Sequence, residues 1–174
     1  MPLTTYTAGE VLTAASLNAN LSFSANSPTA IFNEQQTNGT QGGTFTSGSF
    51  VKRTLNTTVV NTITNCTLTS SVISLPAGTY EVSAYAPALF VATHKLRLQN
   101  TTAATTIDMG MNAFTNVSTV VTHSFINTKF TLSATSNIEL QHRAETTRAT
   151  DGLGAACGFG VVEVYAQITI VQVA

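Results

Sequence analysis

The stretch LPAGTYEVSAYAPALF, Leu75–Phe90, decides how this chain is read. LPAG is a turn signal: Pro presets one backbone angle and Gly leaves another free. TYEVSAYA then alternates, with Tyr80, Val82 and Ala84 on one side and Glu81, Ser83 and Tyr85 on the other. A period of two marks a half-buried strand. No catalytic group stands in or near it.

The same pattern recurs. THKLRLQN, Thr93–Asn100, puts Leu96 and Leu98 inward and Lys95, Arg97 and Gln99 outward. SNIELQHRAE, Ser136–Glu145, sets Ile138, Leu140, His142 and Ala144 against Glu139, Gln141, Arg143 and Glu145. Turn clusters separate the runs at TNGTQGG, Thr37–Gly43, and TDGLG, Thr150–Gly154. About eight to ten short strands at this spacing predict an all-β chain, a jelly-roll β-sandwich. The expected core includes Tyr80, Val82, Leu96, Leu98, Leu140 and Ile168. No helix-length segment interrupts the strands, which argues against a parallel βαβ sheet.

Composition supports this. Of 174 residues, 43% are hydrophobic and only 9% charged, with net charge −1. Ordinary domains carry about 25% charged residues. Here Thr, Asn and Ser replace them, and Thr is a strand former. Weak self-repulsion suits a subunit that assembles. Seven Lys and Arg in all cannot build a phosphate-tracking patch, so nucleic acid is not an expected partner. The opening MPLTTYTAGE lacks the pattern of a signal peptide, and the apolar C-terminal stretch is broken by Glu163, Gln167 and Gln172, so no membrane insertion is expected. Asn-x-Ser/Thr sequons at Asn38, Asn56, Asn65, Asn100 and Asn116 follow from abundant Asn and Thr and are read as accidental. Cys66 and Cys157 could form one bridge, but are read as free, buried thiols.

The N-terminal residues differ. TAGE, Thr7–Glu10, has the form of a capping box, and TAAS, Thr13–Ser16, offers a second N-cap. The spacing predicts a short helix after Thr13, preceded by extended GEVLT. Ala14, Leu17 and Leu21 lie on one face of it, and with Val11 and Leu12 of the extended stretch they are the candidate attachment residues. A helix of about eight residues is not stable alone, so it docks on its own domain or on another protein. SANSP, Ser24–Pro28, reads as a linker. The chain thus divides into a helical or extended arm with its linker, 1–28, and a jelly-roll head, 29–174.

The last strand is apolar on both sides. Val162, Val164, Ala166, Ile168 and Ile170 are expected on the core face, and Val161, Tyr165, Val171 and Val173 beside Glu163, Gln167 and Thr169 on the other. That second face meets either another subunit or a loop of the same chain.

Taken in order, Leu75–Gly110, NIELQHR at Asn137–Arg143, and VEVYAQITIVQV at Val162–Val173 resemble the jelly roll of the complement globular head and tumour necrosis factor superfamily. They resemble most the versions found in bacteriophage structural proteins. The Pro-x-Gly-x-Tyr turn, a strand of small residues, a Leu-x-Leu strand and a closing apolar strand carry the likeness across residues 29–174. YTAGEVLTAASLNANL, Tyr6–Leu21, is similar to a segment at the N-terminus of phage fibre and virion proteins. The resemblance implies a homotrimer with its final strands near the threefold axis, and a non-enzymatic, structural or adhesive role. Val161, Tyr165, Val171, Val173 and His142 become the candidate trimer-interface residues. The implied partners are tail or capsid proteins and a host surface glycan or protein receptor. The implied location is the virion, assembled in the host cytoplasm. A short tail fibre or adhesin is the first reading; a capsid decoration protein is the alternative, favoured by the lack of room for a fibre shaft.

Chemistry is sparse. His94, His123 and His142 lack the spacing of a metal pair. His142 is read as a hydrogen-bonded core or interface histidine, against a metal site on the trimer axis. Glu145 and Asp151 could serve as paired carboxylates of a glycosidase, but lie in a polar loop where ion pairs are common. GLGAACGFG precedes a strand and not a helix, so it is no phosphate cradle. No catalytic residue, metal or cofactor is expected.

Overall fold

The structure, a computed structural model, describes residues 7–11, 13–18 and 27–173. Twelve strands run through the described residues: β1 (Thr29–Gln36), β2 (Val51–Lys52), β3 (Thr57–Asn61), β4 (Thr67–Thr69), β5 (Val72–Leu75), β6 (Gly78–Leu89), β7 (Ala92–Asn100), β8 (Thr105–Met109), β9 (Ala113–Thr115), β10 (Val121–Leu132), β11 (Ser136–Ala144) and β12 (Glu163–Gln172). One sheet has the order β10-β6-β12-β1-β3. The other has the order β4-β5-β11-β7-β8, with β2 beside β11 and β9 beside β7. The chain changes sheet at every step between consecutive strands except β4 to β5, β7 to β8 and β8 to β9. This crossing between two antiparallel sheets is a jelly-roll sandwich.

The opening stretch does what its pattern predicts. Tyr80, Val82 and Ala84 are buried, while Glu81 and Ser83 are exposed. The Tyr80 hydroxyl donates back to the Pro76 carbonyl at 2.8 Å, which ties the Pro-x-Gly-x-Tyr turn to the strand it starts. Leu96, Leu98, Leu140, Ile168 and Ile170 are wholly buried between the sheets with Phe32, Ile73 and Ile138. Full burial of each large aliphatic side chain contributes about 1.5–3 kcal/mol.

The last strand departs from simple alternation. Glu34 lies opposite Ala166 and Gln35 opposite Val164, leaving Tyr165 as an extra residue. Such a bulge reverses which positions face inward. Ala166, Ile168 and Ile170 point into the core as expected, but beyond the bulge Glu163 and Tyr165 are buried and Val164 is exposed. Val162 precedes the strand and is exposed too, so neither it nor Val164 belongs to the core face. Tyr165 is covered by loops of its own chain: its hydroxyl donates to the Thr40 carbonyl at 2.6 Å. A Cβ on Gly154 would fall 2.5 Å from its ring. The glycines of TDGLG are therefore needed for close packing.

Both cysteines are free. Cys66 is buried, and burial pushes its thiol up to about 11. Cys157 is exposed, contrary to expectation, because it lies on the loop before β12.

In the arm, a short helix covers residues 14–18. Thr13 caps it, its Oγ1 accepting from the Ser16 amide at 3.2 Å. The Thr7–Glu10 capping pair closes a turn and not a helix: the Thr7 amide donates to Glu10 Oε2 at 3.1 Å, and Gly9 takes a φ of 91°.

Candidate functional site

β6 and β10 pair without a break from Leu89 opposite Val121 to Gly78 opposite Leu132. Alternation therefore puts Tyr85, His123 and Phe125 together on the outer face of the five-stranded sheet. The ring centroids are 6.4 Å apart for Tyr85 and Phe125, 6.2 Å for Tyr85 and His123, and 6.1 Å for His123 and Phe125. Phe125 is 44% exposed. The row continues through Gln167, opposite Tyr85, to Asn33, to which the Gln167 amide donates at 2.9 Å.

Next to this face is the edge where the two sheets meet. The chain between β8 and β9 crosses closely against β10. A Cβ on Gly110 would lie 2.9 Å from the Phe125 carbonyl oxygen and 3.0 Å from Leu96 Cβ. The Met111 amide donates to the Phe125 carbonyl at 2.8 Å, and the Ser124 hydroxyl donates to the Met111 carbonyl at 2.7 Å. These bonds fix Met111, which is 66% exposed, beside the aromatic face. Met109, Phe114, Val117 and Val120 along the same edge are also exposed. Exposed apolar side chains that join into a patch mark interaction sites, and this edge is the candidate for one.

A third exposed group sits at one end. The Glu163 carboxylate accepts from the amides of Cys157 at 2.9 Å, Gly39 at 3.0 Å and Gly158 at 2.8 Å. Those three bonds hold its pKa below the usual carboxylate range. They use the amides of the Gly-rich stretch internally and set Phe159 at the loop tip, 82% exposed.

Inside the sandwich runs a buried polar chain. Arg53 Nε donates to Glu34 at 2.6 Å, with both side chains almost wholly buried. Arg53 Nη1 lies 3.4 Å from His142 Nδ1, His142 Nε2 lies 3.0 Å from His94 Nδ1, and His94 Nε2 lies 2.8 Å from Thr122 Oγ1. Arginine can only donate, so His142 Nδ1 accepts, and the donors then run in one direction to Thr122. Burial lowers the Arg53 pKa while Glu34 raises it. Burial, then the charge of Arg53, then His94 lower that of His142 well below its ordinary value. Burial, then His123 and Arg53 lower that of His94 to about 4. Both imidazoles are neutral at pH 7.

The expected site residues fall as follows. His142 is wholly buried in its own subunit and Tyr165 nearly so, so neither has surface to offer a neighbour. Both are corrected to core residues: one is held by the polar chain, the other covered by its own loops. Val161 is exposed, and Val171 and Val173 are half-buried. In the arm Val11, Ala14 and Leu17 are exposed, whereas Leu12 and Leu21 lie outside the described residues. Glu145 accepts from the Thr93 amide and hydroxyl, and Asp151 pairs with Arg148 at 2.6 Å, so each carboxylate is engaged apart from the other. Among the described residues no three His, Cys, Asp or Glu gather closely enough to hold a metal ion. Phe125, His123 and Met111 were not found by sequence reading. The signal was present in HSFIN, His123–Asn127, where two large rings stand two residues apart.

No protein-family profile matches the chain, and no curated protein matches it in sequence. Solved structures do match. The globular domain of zebrafish complement 1qA has 13% identity and a TM-score of 0.54, over 85% of this chain and 97% of that one. Eiger TNF from S. frugiperda has 13% identity and a TM-score of 0.55, over 86% and 94%. The PRD1 vertex protein P5 has 12% identity and a TM-score of 0.53, over 85% and 98%. At these identities the likeness is one of fold: this chain carries a jelly roll of the kind seen in complement globular heads and tumour necrosis factor proteins.

Proposed function

We propose that the chain is a non-enzymatic structural protein of a phage virion, whose head associates as a homotrimer. The observation that carries the trimer is the exposed ring cluster of Tyr85, His123 and Phe125 on the outer sheet face, beside an apolar edge led by Met111. An exposed face with a distinct apolar edge next to it suits a heterologous contact, in which the edge of one copy packs on the face of the next. Such contacts close into a ring when the rotation allows. The resemblance to the complement head and tumour necrosis factor fold supports three as the number of copies. The similarity of Tyr6–Leu21 to phage fibre segments supports the virion setting, and so does a vertex protein among the matching structures. In this reading the arm anchors the head to the particle and the exposed loops meet the host, as in a short tail fibre or adhesin.

The alternative is a capsid decoration protein, supported by the likeness in fold to the PRD1 vertex protein P5. Light scattering coupled to size exclusion tests the trimer. The wild type is expected at three times the chain mass, and Phe125→Asp at one. A monomeric wild type would sink the assembly. Imaging of particles carrying the labelled protein separates tail from capsid.

A further inference from the structure

The outer face of the seven-stranded sheet holds a second feature, a pair of cations beside the apolar edge. Lys95 on β7 and Arg143 on β11 stand directly opposite each other in the antiparallel register. Like charges so placed destabilise a sheet. Elsewhere the cations are answered. Lys52 pairs with Glu139, Arg53 with Glu34, Lys129 with Glu81 and Arg148 with Asp151. Arg97 donates to Gln141 at 2.7 Å and lies over the Phe50 ring at 4.2 Å. Lys95 and Arg143 form no ion pair with any described residue. In a chain with 9% charged residues, two unanswered cations facing each other require a reason.

Both border a cavity of about 630 Å³ whose wall includes Phe50, Thr93, Asn112 and Glu145. That volume lies within the usual range for small-molecule sites. Glu145 is held ionised but forms an ion pair with neither cation, so the wall keeps one positive charge in excess. The Glu145 Oε2 accepts from the Thr93 amide at 3.2 Å and hydroxyl at 2.7 Å. Its Oε1 is left to accept a hydrogen bond. β7 and β11 are both interior strands, so recognition there is by side chains and not by strand addition. Two cations, a ring, an amide and an anchored carboxylate oxygen combine an anion site with groups that bind hydroxyls.

We propose that this cavity binds a sugar unit bearing one anionic group, either a carboxylate or a phosphate. The anion lies between Lys95 and Arg143 and offsets their repulsion. Sugar hydroxyls bond to Asn112 and Glu145 Oε1, and the apolar ring face rests against Phe50. The site is formed by one subunit and does not rest on the trimer reading.

Titration calorimetry on the full chain tests it, with galacturonic acid, glucose 6-phosphate, neutral glucose and inorganic phosphate as probes. At least one anionic sugar is expected to bind about ten-fold or more tightly than glucose and than inorganic phosphate; which one binds tells carboxylate from phosphate. Lys95→Gln and Arg143→Gln are each expected to weaken it about ten-fold. Each should leave the melting temperature unchanged or raise it by about 1–3 °C, since a like-charge pair is relieved. Asn112→Ala should weaken the sugar and leave inorganic phosphate unaffected. Phe125→Asp should bind as the wild type does, which separates failure here from failure of the trimer. Absence of heat with both anionic sugars would overturn the proposal, as would unchanged affinity in Lys95→Gln and Arg143→Gln. Inorganic phosphate binding as tightly as glucose 6-phosphate would reduce the site to a simple anion site and reject the sugar. A fall of several degrees in the melting temperature of both cation variants would show that the cations are structural, and would also reject it.

Discussion

Acidification from pH 7.5 to 4.5 is expected to destabilise the head through the buried histidine pair. His94 is pulled to about 4 in the folded chain, by burial first and then by His123 and Arg53. His142 is pulled well below its ordinary value by burial, Arg53 and His94. The unfolded chain takes up protons on these residues near pH 6.5, so it binds more protons than the folded chain in the window below. Stability is therefore complete above about pH 6.5 and falls as pH drops toward the folded values. For His94, the gap between 6.5 and about 4 sets a ceiling of about 3 kcal/mol. Its Nε2 meets half-buried Thr122 at the sandwich edge, and solvent screening there reduces this to about 1–2 kcal/mol. His142 adds a loss of the same sign. For a chain of this size, about 1–2 kcal/mol lowers the melting temperature by about 2–8 °C. Calorimetry at pH 7.5, 6.5, 5.5 and 4.5, at constant ionic strength, measures it. The carboxylates of Asp151 and Glu163, held low by their partners, titrate mainly below this window. A variant combining His94→Gln and His142→Gln should show a flatter profile. A wild-type midpoint that does not move between pH 7.5 and 4.5 refutes the reasoning, as does an equal slope in the double variant.

Leu98→Ala, at a position with no exposed surface, should cost about 2–5 kcal/mol in urea unfolding; a loss below about half a kcal/mol would mean that β7 does not pack as described. Glu34→Gln leaves the Arg53 charge buried without its partner and should cost about 3–5 kcal/mol, whereas replacing both residues with Met should recover much of that loss in the same assay. Gly154→Ala drives a methyl to within 2.5 Å of the Tyr165 ring at a φ of +134° and should lower stability by about 1–3 kcal/mol. A chain starting at Thr29, where β1 begins, should remain a folded trimer but fail to join particles lacking the native protein. Leu17→Asp in the full chain should reproduce that failure, and decoration by the shortened chain would place attachment in the head.

The sequence alone determined what is local. Period-two alternation in Leu75–Phe90, Thr93–Asn100 and Ser136–Glu145 is a property of single strands, and it sets which side chains share a face whatever the strands pair with. The Pro-x-Gly-x-Tyr turn was legible for the same reason, as was the cap at Thr13. Tertiary structure decided what depends on two segments meeting. The bulge at Tyr165 arises from the register between β1 and β12, and no pattern within β12 announces it. That is why Val164 and Tyr165 exchanged their expected sides. His142 was placed on the correct face, but only the arrival of Arg53 and His94 from other strands made that face a buried polar chain. Phe125 and Tyr85, and likewise Lys95 and Arg143, are far apart in sequence. Each pair acquires meaning only when the sheet sets its members opposite each other, because attraction between rings and repulsion between charges both depend on that distance.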